Sequence, residues 1–155
     1  MSAACKRWNK EFVDFLESEE MYRAFLTPAA ECGTWRAGSC WRLAHALLLW
    51  SRRTFPGIRR LATLRSSMDA VEHVVVELIG PKGALYLDSD GLSTEQELRA
   101  RWKKEERLDV FVDWAPRAEL EAADIPEPDE KMKALSRLLQ ARFGSLRDIY
   151  RQCAP

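Results

Sequence analysis

The chain has 155 residues, of which 46% are hydrophobic, so it is long enough for a single domain with its own core. Its 24 basic and 24 acidic side chains give a formal net charge of zero, which argues against nucleic acid or an anionic membrane as the partner. The first residues contain no apolar signal region, and no apolar stretch reaches the length of a membrane span. We therefore expect a cytoplasmic protein.

The first half of the chain predicts two helices. Apolar residues recur at helical spacing over 9–25, and Thr27-Pro28 ends this helix because the residue before a proline is disfavoured in the α region. After a loop, a nearly continuous apolar run predicts a second helix over 40–53. A turn at 55–57, which contains proline and glycine, follows it.

The second half of the chain mixes strands and helices. The predicted strands are rich in β-branched or alternating residues and span 58–64, 71–79, 84–88 and 109–114. Ser93 and Gln96 form a capping-box pattern at the start of a helix that reaches about residue 107. Three prolines predict a loop over 115–130. An amphipathic helix over 132–143 follows, with Gly144 as its cap, and a short last turn over 146–150.

The four cysteines are predicted to be free thiols. They lie at positions 5, 32, 40 and 153. A chain without a signal sequence and with a sufficient core has no need of disulfides. There is no CxxC pair and there are only two histidines, so a zinc site would be poorly supplied, and we predict neither a metal nor an organic cofactor.

One cysteine is placed where a thiol becomes reactive. Gly38-Ser39-Cys40-Trp41 brings Cys40 to the first turn of the second predicted helix, and Ser39 is a suitable N-cap. The positive end of the helix dipole stabilises a thiolate over a thiol at that position. Cys40 is therefore the candidate nucleophile.

A candidate base lies on the second predicted strand, and candidate orienting acids lie at the end of the third. His73 lies near the start of one strand, and Asp88 and Asp90 end the next. If residues 80 and 83 pair across the turn, both acids lie on the face of His73, because same-face residues alternate by two. Either carboxylate can then hold the imidazole tautomer, although a slip of one residue would move both to the other face.

The stretch Gly38-Ser39-Cys40-Trp41 resembles the signature around the nucleophile of papain-like cysteine proteases. The order of cysteine on a helix, histidine on a strand and polar orienter on the next strand is similar to that superfamily, which includes compact bacterial cell-wall amidases. The resemblance covers residues 38–91. It implies an α+β domain over 1–155 in which the nucleophile helix packs on a small antiparallel sheet with flanking helices. The sequence departs from the family at Thr34, where a glutamine helps to form the oxyanion hole.

The resemblance implies a cysteine hydrolase or acyltransferase that acts on an amide, peptide or related acyl bond. Cys40 would attack the carbonyl carbon, His73 would carry the proton, and Asp88 or Asp90 would orient His73. The Cys40 N–H would bind the oxyanion. The candidate substrate-binding residues flank the cysteine and are Trp35, Ser39 and Trp41. The expected partner is a peptide, a protein or a small amide.

Other interpretations stay open. Cys40 is also compatible with a core position, the two acids with turn formation, and the tryptophans and His45 with packing. The alternative function is a non-catalytic protein-binding domain of the same fold, such as a phage or bacterial factor that acts on a host pathway. A third is an assembly protein that docks through its helix at 132–143.

Overall fold

A computed structural model describes residues 1–26, 35, 40–114 and 130–155. Within these residues the chain forms an α+β fold whose elements, in chain order, are α1 (Ala3–Leu16), α2 (Glu19–Phe25), α3 (Cys40–Thr54), β1 (Ile58–Ser67), β2 (Ala70–Gly80), β3 (Gly83–Asp88), β4 (Gly91–Ser93), α4 (Glu95–Glu106), β5 (Phe111–Trp114), α5 (Glu130–Phe143) and α6 (Leu146–Cys153). None of the helices in these ranges is both long and apolar enough to cross a lipid bilayer.

The five strands form one antiparallel sheet in the order β4-β3-β2-β1-β5. Gly80 lies opposite Gly83 in the β2–β3 hairpin, the register that the sequence analysis assumed. The β2–β3 ladder ends at the pair Val76 and Leu87, beyond which β3 turns away into β4. In the described ladders, the first residues of β2 therefore pair with β1 alone.

The two faces of the sheet are covered by different helices. Val74 and Val76 of β2 belong to the larger core cluster, to which α3 contributes most of its buried residues. Val75, between them, packs instead with Leu98 and Trp102 of α4. This alternation follows from the period of two along a strand, and it makes β2 a central strand that is buried on both faces.

The C-terminal helices complete the larger core. Met132, Leu135 and Leu139 of α5 are buried, and α5 packs against α3. The apolar stripe that the docking interpretation would use therefore lies largely within the fold. Most of the predicted loop over 115–130, like Cys32, lies outside the described residues.

Several helix starts differ from the prediction, and α1 begins at Ala3 rather than near residue 9. The helix predicted over 9–25 is divided, because Ser18 accepts a hydrogen bond from the Met21 N–H and caps a separate α2. The capping box of α4 uses Thr94 and Glu97, one position later than predicted. Ser93 cannot serve as the cap since it ends β4, a three-residue strand that the sequence analysis missed.

The prediction of four free thiols is wrong for two of them. Cys5 of α1 and Cys153 of α6 form a disulfide, with Cα atoms 4.9 Å apart. The two residues are separated by 148 positions, and spacing along the chain does not reveal which helices become neighbours. Among the described cysteines, Cys40 is free and half-buried.

Replacing Cys5 and Cys153 together with serine should lower the free energy of unfolding by about 2–5 kcal/mol, because the unfolded chain loses a constraint over a long loop. Urea denaturation measures this change. Cys40→Ser, which leaves the disulfide intact, is the control. Equal unfolding midpoints for the native protein and the double variant would contradict the expectation.

Candidate active site

His73 and Asp88 meet on the face of the sheet that α4 covers. Nε2 of His73 lies 3.1 Å from Oδ2 of Asp88, and each side chain is 3% exposed. The Trp102 ring covers the imidazole, with ring centroids 5.3 Å apart. The contact fixes the orientation of the ring and assigns Nε2 to the carboxylate.

Asp88 has further partners on both carboxylate oxygens. Oδ1 accepts a hydrogen bond from the Asp90 N–H at 2.9 Å, and the Arg101 guanidinium lies 3.3 Å from Oδ2. Burial alone favours the neutral acid, but the hydrogen bond and charge of His73, the charge of Arg101 and the Asp90 N–H together hold the pKa of Asp88 below its ordinary value. Asp88 is therefore a carboxylate at neutral pH.

The two candidate acids occupy different places. Asp88 is the one hydrogen-bonded to His73, whereas Asp90 directs its carboxylate towards Arg101, whose Nε lies 3.3 Å away. Asp90 also supports Asp88 through its backbone N–H. Of the two orienters that the sequence left open, the structure brings Asp88 against the imidazole.

Cys40 begins α3 and interacts with His73. Burial raises the pKa of the thiol. The hydrogen bond and charge of His73, together with backbone hydrogen bonds from Val74 and Trp41, outweigh burial and place the pKa of Cys40 below its ordinary value. The backbone of Val74 is available to the sulfur because β3 has already separated from β2 at this point.

The pKa of the His73 imidazole shifts in the opposite direction. Burial opposes its charged form, but hydrogen bonds and negative charge from Asp88 and Cys40 raise the pKa of His73 to about 9. A lowered thiol pKa beside a raised imidazole pKa favours the thiolate–imidazolium pair over the neutral thiol and imidazole. Nδ1 is buried, and within the described residues its interaction with Cys40 does not meet the geometry of a normal hydrogen bond.

No family model, no curated protein and no solved structure matched the chain in comparisons with known proteins. The resemblance to papain-like hydrolases therefore stays a prediction. The structure establishes the α+β class and the five-stranded antiparallel sheet, with α3 packed on it.

The two described candidate substrate-binding residues, Trp35 and Trp41, both pack in or against the larger core. Trp35 is 1% exposed and its Nε1 donates a hydrogen bond to the Leu16 carbonyl at 2.8 Å, so it lies in the core rather than in a substrate groove. Trp41 is half-buried against the same core. Ser39 and Thr34 lie outside the described residues. His45 is half-buried in the middle of α3.

Arg101 is the site residue that the sequence analysis missed. It bridges Asp88 and Asp90 from α4, a helix whose position over β3 cannot be read from local patterns. The available signal was its place beside Leu98 and Trp102, the buried positions of the same helix. A cation at the border of a buried helix face is well placed to reach a buried acid.

The imidazole of His73 should titrate near pH 9 in the native protein and about one unit or more lower in Asp88→Asn, because burial then opposes the charged ring with less compensation. NMR titration measures this midpoint, and His45→Gln assigns the two histidine signals. Asp90→Asn, which keeps the backbone N–H that supports Asp88, is the matched control. An unchanged midpoint in Asp88→Asn would refute the assignment of Asp88.

Proposed function

We propose that this protein is a cysteine hydrolase or acyltransferase that acts on an amide, peptide or related acyl bond. The observation that carries the proposal is the convergence of a free thiol, a buried imidazole and a buried carboxylate, in the order Cys40, His73, Asp88. A cysteine with only a packing role needs neither a lowered pKa nor a neighbouring histidine whose other ring nitrogen is hydrogen-bonded to a carboxylate.

The chemistry follows from the charge state of the pair. The Cys40 thiolate attacks the carbonyl carbon and forms a C–S bond, and the electron pair of the carbonyl moves onto its oxygen. The Cys40 backbone N–H is the proposed donor to this oxyanion. The His73 imidazolium then gives its proton to the leaving nitrogen as the C–N bond breaks, which leaves a thioester on Cys40 and a neutral imidazole.

The second half-reaction restores the site. Neutral His73 takes a proton from water, the hydroxide oxygen attacks the thioester carbon, and the C–S bond breaks to release a carboxylic acid and the thiolate. An amine in place of water gives acyl transfer. Asp88 holds the ring and stabilises its charged form, and Arg101 favours the carboxylate form of Asp88.

The disulfide supports an oxidising compartment as the place of action. Disulfides persist in such compartments and are rare in the reducing cytoplasm that the sequence analysis predicts. We infer that the protein acts where Cys5 and Cys153 stay oxidised. Thiol titration of the denatured, freshly isolated protein measures how many cysteines are free.

Alkylation of Cys40 by iodoacetamide should show an apparent pKa clearly below the value of about 8.5 for a free thiol. His73→Ala removes the charge and hydrogen bond that favour the thiolate, so it should slow alkylation at about pH 6.5 roughly tenfold or more. His45→Ala, the other histidine variant, is the control. Protection of Cys40 until the protein unfolds would contradict the proposal.

Acylation separates a hydrolase from a merely reactive thiol. With p-nitrophenyl acetate we expect a burst of nitrophenolate and an acetyl group on Cys40, detected by mass spectrometry. Cys40→Ala should abolish the adduct, and His73→Ala should slow its formation by about 10²–10⁴. Rapid alkylation without any acetyl adduct would favour the non-catalytic binding domain.

A further inference from the structure

We propose that Asn9 is a positioning residue of this site: through it, α1 holds the β3–β4 turn and thereby keeps Asp88 within reach of His73. The inference rests on the function proposed above. It assigns a role in the site to a helix that carries none of the three reacting groups.

Asn9 acts as a strand partner for β4. Its Nδ2 donates a hydrogen bond to the Leu92 carbonyl at 2.8 Å, and its Oδ1 accepts one from the Leu92 N–H at 2.8 Å. β4 is an edge strand of the sheet, so one side of it has no neighbouring strand in the described fold. The single amide of Asn9 satisfies both backbone groups of Leu92, a residue that is 1% exposed.

The residue before Leu92 is adapted to the same contact. Gly91 has φ +95°, a conformation that side chains other than glycine rarely adopt, and a Cβ on it would lie 2.2 Å from Oδ1 of Asn9. Glycine is therefore required here both by the turn and by the approach of α1. Gly91 is also the ladder partner of Asp88, so the two Asn9 hydrogen bonds hold the turn that carries the acid.

Helix α1, which carries Asn9, is fixed to α6 and to the core. Cys5 lies one helical turn before Asn9 and is bonded to Cys153, and Ser2 donates a hydrogen bond to the Gln152 carbonyl at 2.8 Å. Trp8 and Phe12, on either side of Asn9, stack with ring centroids 4.9 Å apart against the core. A covalent and packed path thus leads from α6 through α1 to the β3–β4 turn.

The contact between Asp88 and His73 is sensitive to the position of the β3–β4 turn. Asp88 meets His73 through one 3.1 Å contact between two buried groups, and a displacement of about 1 Å would break it. Asp88 and Asp90 stay joined within the turn by the Asp90 N–H, so a movement of the turn carries both. Loss of the Asn9 hydrogen bonds should therefore weaken the contact between Asp88 and His73 without altering His73 itself.

The test compares Asn9→Ala, which removes both hydrogen bonds, with Asn9→Asp, which keeps the acceptor for the Leu92 N–H. Ser18→Ala is the matched control, since it destabilises the fold by removing the cap of α2, away from the turn. The readouts are the NMR midpoint of His73 and the rate of Cys40 alkylation at about pH 6.5. Both are taken well below the unfolding temperature of each variant.

We expect Asn9→Ala to lower the His73 midpoint by about one unit and to slow alkylation roughly tenfold, with Asn9→Asp between it and the native protein. Ser18→Ala should move neither. A midpoint and rate in Asn9→Ala equal to those of the native protein would overturn the proposal and leave Asn9 a purely structural residue. If Asn9→Ala does not fold, the same comparison is made with Asn9→Asp, and native values there overturn it equally.

The two proposals fail in different ways. The NMR midpoint reports the His73–Asp88 contact whether or not Cys40 transfers acyl groups. An unreactive Cys40 in the native protein would therefore refute the proposed function, while a shifted midpoint in Asn9→Ala would still support the positioning role of Asn9.

Discussion

The contact between Nε2 of His73 and Oδ2 of Asp88 is the interaction on which the rest of this site depends. Two ionisable groups that are each 97% removed from solvent lose their hydration, and this loss is tolerated only when each group has compensating partners. Arg101 and the Asp90 N–H serve the carboxylate, and the Cys40 thiol serves the far side of the ring. Removing any one of these partners leaves a buried charged group with less compensation for its lost hydration.

The sheet creates the place where these groups meet. β3 separates from β2 after the pair Val76 and Leu87, and the Asp88–Gly91 turn bends towards α4. The same separation leaves the backbone of Val74 for the sulfur of Cys40, which arrives from α3. The thiol therefore reaches His73 from α3, which covers one face of the sheet, whereas the carboxylate comes from the end of β3, within the sheet itself. A longer β2–β3 ladder would close this opening.

Local sequence patterns predicted most of the elements that form the site. The features that they missed depend on contacts between residues that are distant in sequence. The start of α3 at Cys40, the strand at His73 and the pairing of Gly80 with Gly83 follow from an apolar run, β propensity and turn chemistry, which act within a few residues. The choice of Asp88 over Asp90 depends on how β3 bends, which register alone does not give. Arg101 and Asn9 reach from helices to the end of β3 and to β4, and the disulfide joins α1 to α6, so each contact depends on which elements become neighbours in the fold.

The central claim is that His73 favours the thiolate form of Cys40 over the thiol. Ultraviolet absorbance of the thiolate, taken as the difference between the native protein and Cys40→Ser across a pH titration, tests it most directly. The account predicts that thiolate absorbance appears at a lower pH in the native protein than in His73→Ala, where it appears only near the ordinary thiol pKa of about 8.5. Thiolate absorbance that appears only above about pH 8.5 in the native protein would contradict the account.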